Sequence, residues 1–362
     1  MTTLKRQWPF KSSLDRPELG DKVHMTTPVL ICDDSSFARK QMQRSIPDGW
    51  DVEISFAEHG QEALEMIRAG KADVMFLDLN MPIMDGYETM QIIKDEDLPT
   101  MVIVVSGDVQ PEARARMLAL GALEFIRKPT DNVKLVEILI QFGLYSGEAS
   151  ANKRAEEVEP TSKDSHTEKL DAYREMANVA MGQAGESLAA LLGEFIDLPI
   201  PNVNLITNTE LHMAIADIQR NESVSAVSQG FISAGINGEA LVIFNDSNFG
   251  NMVKLLKYSD DKSSHSLELE ALMDVSNILI GACLRALSEQ LHSVFSHNHP
   301  IILGRHCDLD DILKTTTHRK EDMLAIEIAY SIKSQNINFD LLLLFPNKSI
   351  DLVFDKLVTS HS

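Results

Sequence analysis

Five short apolar runs, separated by segments with the periodicity of amphipathic helices, occupy residues 26–145. They read VLIC, DVEISF, DVMFLD, MVIVVS and LEFIRK. Alternation of strands with helices is typical of an α/β domain with a parallel sheet. We therefore expect a five-stranded parallel (βα)5 domain here. A domain usually holds about 100 to 200 residues, so the 362-residue chain has room for more than one.

Polar residues stand where several of these predicted strands end. Asp33 and Asp34 follow the first, Asp78 the third, Ser106 the fourth and Lys128 the fifth. The carboxyl ends of parallel strands meet at one edge of a sheet, so the five side chains should converge. Crowded carboxylates repel one another unless a cation neutralises them, and all-oxygen ligation favours Mg²⁺. One Asp-Asp pair alone is equally compatible with a turn or a helix cap, whereas the complete set favours a Mg²⁺ site.

The motifs ICDDSS, FLDLNMPIMDGYE, VVSGD and FIRKP make this segment resemble the receiver domain of two-component response regulators. The resemblance implies that Asp78 is the phosphoacceptor and takes its phosphoryl group from a phosphohistidine, so a histidine kinase is an expected partner. It also implies that Mg²⁺ is the cofactor, held by Asp34, Asp78 and the Asn80 carbonyl, with Asp33 acting through water.

The same resemblance assigns roles to three further residues. Lys128 would neutralise phosphoryl oxygens, and Ser106 would donate a hydrogen bond to one of them. Phe125 matches the aromatic switch position, where rotation of the ring would report phosphorylation to the outer surface. Taken alone, Phe125 is also compatible with an ordinary core or surface aromatic residue.

Two segments outside this domain have compositions of their own. Residues 1–25 carry charge and proline instead of an apolar run, so we expect an N-terminal extension and no signal peptide. Residues 146–165 are poor in apolar residues and rich in Ser, Glu and Lys. Such a composition predicts a flexible linker.

The rest of the chain repeats itself after 99 residues. EMANVAMG at 175–182 returns as DVSNILIG at 274–281, and Pro201 returns as Pro300. We therefore expect a pseudo-twofold α/β domain over residues 166–362, with two long site-bearing helices and two repeats at about 166–262 and 265–361. Each repeat should run long helix, strand, short helix, two strands and helix. Asn237-Gly238 reads as a hairpin turn.

Helical geometry separates the two faces of the repeated helix. At about 100° per residue, one apolar face contains Leu170, Tyr173, Ala177, Met181, Ala184, Leu188, Leu191 and Phe195. Glu175, Asn178 and Gly182 lie on the other face, which we expect to be exposed. One isolated Glu-x-x-Asn is compatible with a solvated helix face. Its recurrence beside a glycine favours a functional site.

This repeat resembles the CheC, CheX and FliY phosphatases of bacterial chemotaxis over residues 166–362. The signature residues are Asp171, Glu175, Asn178 and Pro201 in the first copy, and Glu270, Asp274, Asn277 and Pro300 in the second. The two acids are exchanged between the copies, so the second-copy Asp274 is one methylene shorter than the family Glu.

The resemblance implies an aspartyl-phosphate phosphatase that acts on a phosphorylated chemotaxis response regulator. Asn178 and Asn277 would orient the attacking water, because a side-chain amide both donates and accepts hydrogen bonds. Glu175 and Asp274 would pair with the active-site lysine of the substrate receiver. That receiver could be a separate molecule or the chain's own, and a non-catalytic adaptor is the rival interpretation.

Composition argues against several other classes. The net charge of -21 would repel nucleic acid, and no apolar run approaches the roughly 20 residues that span a bilayer. Three separated cysteines without a C-x-x-C pair fit reduced thiols, so we expect a cytoplasmic protein. His297, His299, His306 and Cys307 could bind zinc. They lack a second thiol pair, however, and surround a proline that the repeat already explains.

Overall fold

The computed structural model describes most of the two predicted domains. The described residues are 26–146, 165–207, 209–211, 213, 223–258, 264–305 and 322–360. The predicted N-terminal extension at 1–25 and residues 147–164 of the predicted linker lie outside them.

The N-terminal part is a five-stranded parallel sheet, as predicted. Its strands are β1 (Thr27–Cys32), β2 (Val52–Ala57), β3 (Val74–Leu77), β4 (Met101–Ser106) and β5 (Glu124–Arg127), in the order β2-β1-β3-β4-β5. Its helices are α1 (Ser36–Ser45), α2 (Gly60–Arg68), α3 (Gly86–Asp95), α4 (Pro111–Leu120) and α5 (Asn132–Gln141). Apolar clusters cover both faces of the sheet, which explains why β3 reads VMFL and is buried throughout.

The C-terminal part combines long helices with an antiparallel sheet. The helices are α6 (Ser165–Leu192), α7 (Phe249–Leu256), α8 (Ser264–Gln290) and α9 (Asn347–Ser360). The strands are β6 (Asn202–Ile206), β7 (Val224–Ser233), β8 (Ile236–Asn245), β9 (Ser296–His297), β10 (Ile301–Arg305), β11 (Met323–Ile332) and β12 (Ile337–Pro346). Two single 3₁₀ turns follow β8 and β11. None of the described helices is long and apolar enough to cross a membrane.

The strand order shows the predicted pseudo-twofold relation. Six strands of the sheet run β10-β7-β8-β12-β11-β6, and the two-residue β9 pairs with β7 beside this path. Exchanging the two repeats leaves the order of the six strands unchanged. A five-residue strand of each repeat pairs with a strand of the other repeat: β6 pairs with β11, and β10 pairs with β7. Strands β6 and β10, like β7 and β11, begin 99 residues apart. The sequence repeat is therefore also a structural repeat.

The hairpin turn was predicted at the wrong place. The β7–β8 turn lies at Ala234 and Gly235, both of which have positive φ. Asn237 and Gly238 are paired within the ladder, and a Cβ at Gly238 would meet the Phe231 ring at 2.3 Å and the Leu344 carbonyl oxygen at 2.6 Å. The glycine is therefore required by close strand packing.

The C-terminal core lies between the sheet and the two long helices, α6 and α8, which pack against each other. Most of the predicted apolar face of α6 is buried there. Leu191 and Phe195 are exceptions, with 37% and 36% exposure, because they lie at and beyond the C-terminal end of the helix. Helix α6 also contacts α1 of the N-terminal sheet domain, so the two parts of the chain touch.

Candidate active site

Five polar side chains meet at the carboxyl edge of the parallel sheet, as the strand ends predicted. In β1 and β3, Cys32 lies opposite Leu77, so Asp33 and Asp78 continue side by side. One ligand atom from each of Asp33, Asp34 and Asp78 lies within 4.8 Å of the other two. We call these three residues, with Ser106 and Lys128, the receiver pocket.

Lys128 joins the acidic groups of the receiver pocket. Its Nζ lies 2.7 Å from Asp33 Oδ2 and 3.4 Å from Asp78 Oδ1. Ser106 is fully buried at the end of β4, and its Oγ accepts a hydrogen bond of 3.1 Å from the Asp108 amide. The ammonium and the hydroxyl thus lie on the same sheet edge as the carboxylates.

The acidic cluster fits a hard cation. Asp34 Oδ1 and Asp78 Oδ2 are buried without a hydrogen-bond partner. Burial raises the pKa of Asp34 to about 7, and the neighbouring Asp33 and Asp78 carboxylates add to the shift. Mg²⁺ prefers oxygen ligands and would offset this repulsion. Asn80, two residues beyond Asp78, lines a cleft of about 420 Å³ at the rim.

Helix α6 places two further side chains against the receiver pocket. Glu175 Oε1 lies 3.1 Å from Lys128 Nζ, and both Glu175 and Asn178 are only 3% exposed. The Asn178 carboxamide oxygen has no hydrogen-bond partner. The expectation that this helix face is exposed was wrong, because the N-terminal domain of the same chain covers it.

Asp171, one turn earlier on α6, contacts the first turn of α1. Its Oδ2 accepts hydrogen bonds from Ser36 Oγ at 2.6 Å and from the Phe37 amide at 2.8 Å. A carboxylate is stabilised there because the first-turn N–H groups of a helix have no partner within the helix. An exposed ion pair between Lys40 and Glu168 lies beside this contact.

Gly182 brings α6 into backbone contact with the loop after β4. A Cβ at Gly182 would lie 1.8 Å from the Gly107 carbonyl oxygen and 2.8 Å from the Asp108 nitrogen. Conversely, a Cβ at Gly107 would lie 2.9 Å from the Asn178 carbonyl oxygen. Only glycine allows this approach, which brings Asn178 close to the end of β4.

Two other interdomain contacts were not foreseen from the sequence. Gln110 Nε2 donates to the Ile196 carbonyl at 2.8 Å, and its Oε1 accepts from the Ile196 amide at 2.9 Å. Arg127 pairs with Glu289 of α8 at 2.7 Å. The recurring glycine pointed to Gly182, but no local pattern distinguishes Gln110 from other polar helix caps.

The combined site contains more acids than bases. Four carboxylates, those of Asp33, Asp34, Asp78 and Glu175, surround the Lys128 ammonium. Burial raises the pKa of Glu175 to about 7, against the lowering effect of Lys128. Burial alone would lower the pKa of Lys128, but the nearby carboxylates outweigh it and raise that pKa. The ammonium therefore stays protonated.

We call Asp171, Glu175, Asn178 and Gly182 the first-copy site, and Glu270, Asp274, Asn277 and Gly281 the second-copy site. In the second, Asp274 and Asn277 are exposed, and Asp274 accepts a hydrogen bond of 2.7 Å from Tyr258. A Cβ at Gly281 would meet only Arg285, at 3.9 Å. Pro201 stands directly before β6, and Pro300 stands directly before β10.

Phe125 and the histidine cluster are the remaining residues that the sequence singled out. Phe125 is buried and belongs to the same apolar cluster as Met117. Its role as a switch stays a prediction. His297 Nδ1 contacts the Gln229 amide at 2.8 Å. His299 is exposed, and His306 and Cys307, the remaining members of the cluster, lie outside the described residues.

Comparison with known proteins identifies the N-terminal part. Residues 29–140 match the response regulator receiver domain family. Together with the five-stranded parallel sheet, this shows that this part of the chain is a receiver domain. A receiver domain implies a phosphodonor such as a histidine kinase.

Similar proteins match this chain in part. A protein-glutamate methylesterase/protein-glutamine glutaminase of Symbiobacterium thermophilum is 37% identical over 120 residues, covering 32% of this chain and 33% of that protein. The chain thus spans about a third of the length of the curated relatives it matches. Thermotoga maritima FliY is 16% identical over 53% of this chain and 96% of its own, with a TM-score of 0.42. A chain of the CheX-CheY-BeF3-Mg+2 complex from Borrelia burgdorferi is 30% identical, covering 33% of this chain and 90% of that chain, with a TM-score of 0.31.

Proposed function

We propose that this protein is a chemotaxis response regulator whose receiver is phosphorylated on Asp78 and whose C-terminal half hydrolyses aspartyl phosphate on phosphorylated receivers. The observation that carries the proposal is the position of Asn178. Its carboxamide is buried on the face of α6 that packs against the receiver, with its oxygen unpaired, while Glu175 on the adjacent turn holds the pocket lysine. This is the contact that the resemblance to chemotaxis phosphatases implies.

Phosphorylation would use the receiver pocket. A carboxylate oxygen of Asp78 attacks the phosphorus of a phosphohistidine, a bond to that oxygen forms, and the electron pair of the P–N bond leaves with the imidazole. Lys128 and Ser106 are positioned at the strand ends to bind phosphoryl oxygens. Mg²⁺, when held by Asp34, Asp78 and the Asn80 carbonyl, with Asp33 acting through water, would neutralise charge on the phosphoryl group.

Hydrolysis would use Asn178 together with the pocket. A water oxygen attacks the phosphorus in line, the P–O bond to Asp78 breaks, and its electron pair returns to the Asp78 carboxylate. Inorganic phosphate leaves, and the proton lost by the water passes to the phosphate or to solvent. Asn178 can accept a hydrogen bond from the water through Oδ1 and does not itself react. Glu175 contributes by positioning Lys128.

A non-catalytic adaptor is the second candidate function. It is favoured by the second-copy site, where the short carboxylate of Asp274 is already engaged by Tyr258. It is also favoured by contacts that touch no reacting group, such as that between Gln110 and Ile196. In this alternative the C-terminal half would bind receivers without hydrolysing their phosphate.

Loss of radiolabelled phosphate distinguishes the two functions. The full-length chain is added to phosphorylated chemotaxis receivers from the same cell, and its own phosphorylated form is followed in parallel. An Asn178→Ala, Asn277→Ala double variant is the control, and we expect it to abolish acceleration on every substrate. Acceleration that survives in the double variant would end the proposed mechanism. Binding without any acceleration by the unaltered chain would favour the adaptor.

A further inference from the structure

The receiver that fills the first-copy site belongs to the same chain. The receiver pocket and α6 are joined at Lys128 and Glu175, and the N-terminus of α1 is held by Asp171. Gly107 and Gly182 are in backbone contact a few residues away. Polar, charged and steric complementarity thus coincide around a single phosphoacceptor.

The interdomain contact extends beyond the shared pocket. Gln110 makes two hydrogen bonds to the backbone of Ile196, and Arg127 pairs with Glu289 of the other long helix. Phe37 packs against the C-terminal core. These partners surround the pocket on several sides, so the contact fixes the orientation of the receiver relative to α6.

In the docked arrangement a large phosphodonor cannot reach Asp78. Asp78 is 3% exposed. Glu175, which pairs with Lys128 beside Asp78, and Asn178, whose backbone adjoins Gly107, are equally buried. An imidazole that delivers phosphoryl must lie in line with the attacking carboxylate oxygen. A histidine-phosphorylated domain cannot reach that position while α6 covers the pocket. The docked arrangement therefore suits hydrolysis and excludes phosphotransfer from a histidine kinase.

We propose that the first-copy site takes the receiver of its own chain as substrate. The receiver leaves the site to accept a phosphoryl group and returns to it to lose that group as inorganic phosphate. This inference rests on the proposed phosphatase function and adds its substrate and its order of events. A tether raises the local concentration of a joined partner to roughly millimolar, so a weak contact suffices for docking.

A mixing experiment with full-length chains tests whether the site acts within one molecule. The Asn178→Ala chain is phosphorylated with radiolabelled acetyl phosphate and Mg²⁺, the donor is removed, and phosphate loss is followed. An excess of Asp78→Ala, Asn277→Ala chain is then added, which keeps Asn178 but can neither carry phosphate nor use the second-copy asparagine. Asn204→Ala, which removes an exposed amide on β6, is the matched control for Asn178→Ala.

Action within one molecule predicts a distinct pattern of rates. The unaltered chain and Asn204→Ala should lose phosphate at a rate independent of concentration. Asn178→Ala should slow that loss by about 10²-fold, the typical effect of losing one positioned polar group, and by at least tenfold more than Asn277→Ala does. Adding the Asp78→Ala, Asn277→Ala chain should restore nothing. Restoration, or a larger effect at Asn277, would overturn the proposal and leave a phosphatase that acts between molecules.

Hydrogen exchange separates failure of this inference from failure of the proposed function. In the docked chain the Phe37 amide donates to Asp171, so it should be protected in the unaltered chain at every concentration and exposed in Gly182→Leu. Protection that appears only at high concentration would overturn docking within one chain. If protection is as expected but the unaltered chain loses phosphate as slowly as the Asn178→Ala, Asn277→Ala variant, the phosphatase function itself is refuted, and this inference with it.

Discussion

The two long helices α6 and α8 carry the same motif at the same position of the repeat, yet only one is covered. Glu175 and Asn178 on α6 are buried against the receiver pocket, whereas Asp274 and Asn277 on α8 are exposed. Both helices turn their apolar faces into one core. The difference therefore arises outside the helices, from where the receiver docks.

The lengths of the acidic side chains give one reason why the receiver occupies the first copy. Asp171 is short enough to accept hydrogen bonds from Ser36 and Phe37 at 2.6 and 2.8 Å. The second copy has Glu270 in that place, one methylene longer, and the shorter Asp274 where the first copy extends Glu175 to Lys128. Because the two acids are exchanged, the second copy has the wrong side-chain length both for the contact with the start of α1 and for the contact with Lys128. A repeated motif can keep its spacing and still lose its fit to one partner.

The glycines should give the largest difference between the copies. Gly182→Leu places a side chain where a Cβ alone would lie 1.8 Å from the Gly107 carbonyl oxygen, so we expect the receiver to separate from α6. Gly281→Leu meets only open space near Arg285 and should leave the domains docked. Small-angle scattering of both full-length variants measures this as a larger radius of gyration for the first alone. Equal radii would show that the glycine contact does not control docking.

The charge on Glu175 should make docking depend on pH. Its pKa is raised from 4.5 to about 7 by burial, so the docked form holds a proton that the undocked form releases. In metal-free chain, docking should therefore weaken as pH rises from about 4.5 to 7 and change little above that. Glu175→Gln should flatten this dependence, measured by Phe37 amide exchange at several pH values. An unchanged slope in the variant would assign the effect to other carboxylates, and added Mg²⁺ should reduce it.

Gln110 tests the part of the interface that is remote from the repeated motif. Gln110→Ala removes both hydrogen bonds to Ile196 and leaves buried backbone groups without partners, which typically costs about 1 to 3 kcal/mol. We expect Phe37 amide exchange to speed up accordingly. Gln91→Ala, on an exposed face of α3, is the control and should have no effect. Equal exchange in both variants would show that the motif alone holds the receiver.

The smallest effect is expected at the one described ion pair between the receiver and α8. Arg127 and Glu289 are 2.7 Å apart but each is about half exposed, so solvent screens them. Arg127→Ala should weaken docking by less than about 1 kcal/mol. Arg68→Ala, which removes an equally exposed pair within the receiver, should leave docking unchanged. In high salt, Phe37 amide exchange should be the same in Arg127→Ala and in the unaltered chain. A loss of docking greater than about 1 kcal/mol in Arg127→Ala would mean that contacts other than this ion pair hold the receiver to α8.

Much of the architecture follows from the sequence because it depends on local patterns. The five apolar runs predict the parallel sheet, and the acids placed after Cys32 and Leu77 predict a shared edge, since parallel strands end together. The 99-residue repeat predicts the pseudo-twofold sheet, because equal segments bury equal faces. Local reasoning was wrong at the β7–β8 hairpin, where Asn237-Gly238 looked like a turn. Packing of Gly238 against Phe231 places the turn three residues earlier.

The candidate residues for the proposed phosphoryl chemistry could be read from the sequence alone, because they are recognised by residue type and by spacing along strand ends and helix turns. Which copy of the repeated motif meets the receiver pocket became visible in the folded structure. That choice depends on contacts between residues far apart in the chain, such as Gly107 with Gly182 and Gln110 with Ile196. Helical periodicity predicts which side chains share a face, whereas burial of that face depends on the free energy of docking a whole domain.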